Sequence, residues 1–90
     1  MIKKKYSHRT IHDEKIQKLY LAAKAVAVPT VISEQMCSGG VGAAVCTKQG
    51  RIFTGVCVDT DCSLGMCAER NALSTMITAG EFDIDMVIAV

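Results

Sequence analysis

The order of patterns along the chain predicts an α/β fold. One helix, a hairpin of two strands, a second helix and a last strand give α-β-β-α-β, a mixed sheet of three strands with flanking helices. Three observations carry this expectation. Apolar residues recur at helical spacing before Pro29 and again after Cys67. Two short apolar runs flank the turn sequence KQGR. Finally, Met86 to Val90 are apolar without alternation, the pattern of a strand covered on both faces, as in a parallel sheet entered through a right-handed crossover.

Each element has its own local reason. In RTIHDEKIQKLYLAAKAVAVPT, Thr10 is placed as an N-cap, and Asp13 and Glu14 suit the positive end of a helix. Ile16, Leu19, Tyr20, Ala23 and Ala27 then share one face, and Pro29 ends a helix predicted over 11–27. A loop through Ser38, Gly39 and Gly40 leads into the small-residue strand VGAAVCT. Small side chains there let a helix or ligand approach the backbone. KQGR turns the chain into the return strand RIFTGVCV, and DTDCSLGM leads to a second helix over 67–79, closed by Gly80. Neither repeats nor low-complexity segments occur.

Bulk properties narrow the function classes. Ninety residues make one domain, 1–90, and a composition 50% hydrophobic and 21% charged excludes disorder. The apolar runs are far shorter than the roughly 18–20 residues of a membrane span. MIKKKYSHRT is basic but has no apolar stretch behind it, so it does not read as a secretory signal; Lys3 to Lys5 read as a solvated tail. A net charge of +1 gives no electrostatic case for nucleic acid. The expected compartment is the reducing cytoplasm, where the five cysteines stay unpaired. Cys37 and Cys46 read as core or loop residues.

The stretch GMCAERNALSTM (65–76) stands apart. On a regular helix a thiol and a carboxylate two residues apart point ~200° away from each other. They can serve one site only where the backbone is still turning into the helix. At a helix start the unpaired N–H groups and the dipole favour a thiolate, the form that binds zinc. Glu69 could then stand beside the metal and exchange protons with its water, whose pKa zinc lowers to about 7. Arg70, one turn on from Cys67, could donate to the thiolate.

VGAAVCTKQGRIFTGV followed by CAERNAL resembles the cytidine deaminase family, over residues about 14–90. The resemblance implies a helix, a hairpin, then alternating helices and strands. It also implies zinc-dependent hydrolysis of the exocyclic amine of cytosine. By it Cys67 is a zinc ligand, Glu69 the proton shuttle, Arg70 a partner of the zinc thiolates, and the Ala68 backbone a support for the base. A cysteine as first ligand, where relatives acting on nucleotides or polynucleotides usually carry histidine, implies a free nucleoside. Family members commonly form dimers or tetramers that complete one another's sites, so a homo-oligomer is expected.

The chain departs from this pattern in three ways. The family's other two zinc ligands lie in a Pro-Cys-x-x-Cys segment after the third strand, which this sequence does not contain; the expectation is that residues 1–90 stop before the fold does. Cys57, Cys62 and Cys67 could stand in, as C-x4-C-x4-C, a loose spacing for zinc. The sugar-holding asparagine and glutamate are replaced by Cys57 and Asp59. The aromatic residue that usually precedes VGAA is absent, its place taken by Gly39 and Gly40. These changes keep two alternatives open: a deaminase of a modified cytosine nucleoside, of the blasticidin type, and a non-catalytic interaction module built on the same fold.

Overall fold

The computed structural model describes residues 2–90, with side chains from Glu14 onward. Helix α1 spans Ile2–Val26, followed by strands β1 (Thr30–Ser33), β2 (Met36–Thr47) and β3 (Ile52–Thr60), helix α2 (Ala68–Thr78) and strand β4 (Ile84–Ala89). The protein is therefore α/β, as expected, with one strand more than the sequence suggested.

The first helix ends where Pro29 requires but begins earlier than residue 11. Nothing from Ile2 to Arg9 breaks a helix, and the lysines and arginine there favour one. No acidic residue falls in the first turn, so the pair Asp13 and Glu14 stands in the body of the helix. Thr10, expected as the N-cap, and Asp13 lie outside the residues whose side chains are described.

The expected loop at 38–40 is strand instead. Residues 30–38 form a small hairpin, with Thr30 opposite Ser38 and Val31 opposite Cys37, and β2 continues unbroken to Thr47. Gly50 then turns the chain into β3, with its N–H bonded to the Thr47 carbonyl at 2.9 Å. β2 is the central strand. β3 runs along one of its edges, while β1 and β4 share the other.

The last strand corrects a second expectation. β4 does follow a crossover through α2, and it points the same way as β3. Its neighbour, however, is β2, to which it is antiparallel, Ala43 facing Ala89 and Val45 facing Val87. The crossover carries the chain over β2 to that strand's far edge, so no parallel pair forms. Nor is β4 covered on both faces among the described residues. Met86 and Ile88 pack toward α1, while Ile84, Val87 and Val90 remain exposed.

Alternation along β2 divides the core between the two faces. Ala43 and Val45 meet Cys57, Ala68, Ala72 and Met76 on the α2 side. Ala44 and Cys46 meet Leu19 and Ala23 on the α1 side. Helix α2 ends in a Schellman motif: Gly80, at φ 85°, bonds to the Ile77 carbonyl at 2.9 Å, and Glu81 reaches back to the Met76 carbonyl at 3.1 Å.

Candidate functional site at the start of the second helix

The start of α2 is tied to the end of β3 by backbone. Met66 pairs with Val58 in an isolated antiparallel bridge, with N–H to carbonyl distances of 2.8 and 2.9 Å in the two directions. The next residue, Cys67, is the N-cap, with extended backbone (φ −75°, ψ 157°), and its carbonyl accepts the Asn71 N–H at 3.1 Å. Helical geometry begins at Ala68, one residue later than the sequence suggested. Cys67 therefore stands before the helix, and the opposed directions of a regular i, i+2 pair do not apply to Cys67 and Glu69.

The side chains of this segment fall into two environments. Ala68 is buried against Cys57. Cys67, Glu69 and Arg70 are exposed, and the Cys67 thiol makes no capping hydrogen bond. Two features the sequence reading passed over hold the helix in this place. The Asn71 amide donates to the Val56 carbonyl at 3.0 Å. Gly55, beneath the helix, leaves no room for a side chain: a Cβ there would stand 2.3 Å from the Ala72 nitrogen. A signal existed for both, since asparagine is a poor helix former and glycine weakens a strand unless another backbone approaches it. The Met66 bridge had none.

Across from the helix start, Cys57 and Asp59 share the face of β3 that α2 covers, two residues apart on the strand. Cys57 is 9% exposed. Its sulfur accepts the Val41 N–H at 3.2 Å and donates to Asp59 Oδ2 at 3.7 Å. The exposed Cys37 thiol donates to the same oxygen at 3.9 Å. Asp59 and Cys37 line a groove of about 290 Å³ between the β1–β2 hairpin and the end of β3. A second hollow of about 330 Å³, sharing Ser33, Gln35, Met36, Thr60 and Asp61 with the first, reaches Cys62 and Leu64. Cys67, Ala68, Glu69 and Arg70 line neither.

The five cysteines separate accordingly. Cys46 is buried in the core and Cys37 lies exposed on a strand. Cys62 is exposed in the loop before α2. The Leu64 backbone N–H, and after it the Thr60 hydroxyl, hold the Cys62 thiol below the usual thiol range.

The donor set does not by itself fit zinc. Among the described residues no three His, Cys, Asp or Glu side chains lie close enough to share a metal ion. Cys57, Cys62 and Cys67 are therefore not gathered into a site, and Cys67 falls short of the three protein ligands a catalytic zinc requires. Among the described residues, no helix is long and apolar enough to cross a membrane. No known protein-family model matches the chain.

Proposed function

We propose that this chain carries part of a hydrolytic deaminase site for a cytosine nucleoside, plain or modified. Cys67 is its contribution to a zinc centre whose other donors come from beyond the described side chains. What supports the reading is the tie between Met66 and Val58. It brings the CAER segment, with its sulfur ahead of the helix and its acid in the first turn, against the end of the strand that carries Asp59.

In this reading Glu69 takes a proton from the attacking water and hands it to the departing amine, so that water is consumed and ammonia released. Asp59 accepts from a sugar hydroxyl, since a carboxylate offers acceptors only. The buried Ala68 keeps the backbone at the helix start close to the sheet, where it supports the base, and Arg70 offsets thiolate charge. The protein works as a homo-oligomer, a dimer or a tetramer, in the cytoplasm, on a small molecule rather than on nucleic acid or membrane.

The test is ammonia release from cytidine by the full-length gene product, with zinc measured in the same preparation. Glu69→Gln should reduce turnover by roughly a hundredfold or more while leaving zinc content unchanged. Undiminished turnover in that variant overturns the assignment.

The outer edge of β4 favours a second reading, a deaminase-like fold used only for assembly. β4 pairs with β2 alone among the described strands, and its exposed Ile84 and Val87 suit strand addition by another chain. Native mass spectrometry separates the two readings: a specific oligomer of the full-length protein that contains no zinc and releases no ammonia supports the module.

A further inference from the structure

We propose that Cys57 is a positioning residue, whose buried thiol holds Asp59 and decides which carboxylate oxygen is left for a ligand. The inference rests on the reading of Asp59 as the group that binds the sugar.

By the resemblance to cytidine deaminases, Cys57 stands where an amide would touch substrate, yet its sulfur is buried and already engaged on two sides. It accepts the Val41 N–H at 3.2 Å, which fixes the sulfur against the irregular stretch of β2 between Ser38 and Gly42. With an acceptor lone pair used there, its S–H is free to donate, and Asp59 Oδ2 lies 3.7 Å away. Backbone amide and thiol thus donate in turn along one hydrogen-bonded chain that ends on the carboxylate, in which each bond polarises the next. A thiol is a weak partner, so the arrangement depends on burial of the sulfur rather than on the strength of either contact. Cys37 adds a second, solvent-exposed S–H on the same oxygen.

Oδ2 is thereby occupied, and Oδ1 remains as the acceptor that Asp59, a lining residue of the groove, can offer. The ligand group it selects must be a donor, a hydroxyl or an N–H. An amide at position 57 would itself have contributed both a donor and an acceptor to a ligand. The buried thiol contributes neither, and instead holds the one carboxylate that does.

The experiment uses the full-length protein, labelled for NMR, as wild type, Cys57→Ala and Cys57→Ser. Three quantities are read: exchange of the Val41 amide, the Asp59 side-chain rotamer from its Hα–Hβ couplings, and the Kd for cytidine by titration. In Cys57→Ala, Val41 exchange should accelerate by about tenfold, the Asp59 side chain should average over rotamers, and the Kd should rise roughly three- to tenfold. Cys57→Ser, whose hydroxyl can replace both contacts, should hold one Asp59 rotamer and recover most of the lost affinity. The Ala72 and Met76 methyl signals serve as a control and should stay in place, separating loss of orientation from loosening of the core.

An Asp59 side chain that keeps a single rotamer in Cys57→Ala overturns the proposal. Should the alanine variant not fold, Cys57→Ser decides alone, and rotamer averaging there overturns it equally. Cytidine binding to none of the three proteins would sink the deaminase reading, while the rotamer measurement still decides the role of Cys57.

Discussion

The two helices lie on opposite faces of the sheet, each pressed onto a strand glycine. Beneath α1, a Cβ at Gly42 would stand 2.2 Å from the Ala23 carbonyl oxygen; beneath α2, one at Gly55 would stand 2.3 Å from the Ala72 nitrogen. There the likeness ends. From Lys15 onward, α1 is held by Leu19, Ala23 and the packing around them, with an ion pair between Lys15 and Asp85 at the surface. α2 is fixed at both ends. The Met66 bridge and the Asn71 amide set its start, and the turn at Gly80 sets its finish. Close packing alone is enough to place a helix whose task is to cover a sheet. A helix whose first turn must present particular side chains needs its rotation and its axial position fixed as well, and directional backbone bonds do that.

The comparison is broken most severely at the glycines. Gly42→Ala and Gly55→Ala should each destabilise the protein by about 2–3 kcal/mol or more, because the added carbon meets helix backbone that cannot turn aside. Urea denaturation measures this. The two variants should then diverge: Gly55→Ala shifts the amide signals of Cys67 to Asn71, whereas Gly42→Ala leaves them in place. Equal shifts in both would show that the face under α1 positions the site too.

A smaller effect is expected at Asn71. Asn71→Ala should cost about 1 kcal/mol, the worth of one net hydrogen bond to the Val56 carbonyl. It should loosen the start of α2 ahead of its Gly80 end, as read by hydrogen exchange along the helix. Uniform loosening along α2 would mean that Asn71 does not fix its start.

The smallest effect is at the surface of α1. Lys15 has its pKa raised above 10.5, first by its hydrogen bond to Asp85 and then by the charge of that carboxylate. A raised lysine stabilises fully below its unfolded value, and the contribution is lost as pH rises through the folded one. The stability difference between wild type and Lys15→Met should therefore be constant through neutral pH and close in alkali. It should also shrink with added salt, because both groups are partly exposed.

Legibility followed the range of the forces involved. The end of α1 at Pro29, the turn at Gly50 and the finish of α2 at Gly80 are dictated by a residue or two, and the structure has them where the sequence put them. The start of α1 was misplaced because Thr10 is a fair cap in a stretch where no residue prevents the helix from running on. β1 was missed because Thr30 to Ser33 is short and exposed throughout, and owes its conformation to pairing with β2. The apolar run at the C-terminus identified a strand, but which strand lies beside it depends on where the crossover lands. At the site, the residue types Cys67, Glu69, Cys57 and Asp59 could be read off, but not the burial of Cys57. The contacts of its sulfur, with Val41 across the sheet and with Asp59, could not.

By itself, then, the sequence determined the two helices, the strands on either side of the Gly50 turn and the last strand, and which reactive groups stand at the head of α2. Propensity, turn chemistry and spacing act between near neighbours, and such effects are written locally. Only the tertiary structure decided that β4 joins the far edge of β2, that Met66 pairs with Val58, and that the thiol of Cys57 is consumed inside the fold. Each of these depends on groups brought together from distant parts of the chain, where the partner is chosen by packing of the whole domain and not by any residue's own preference.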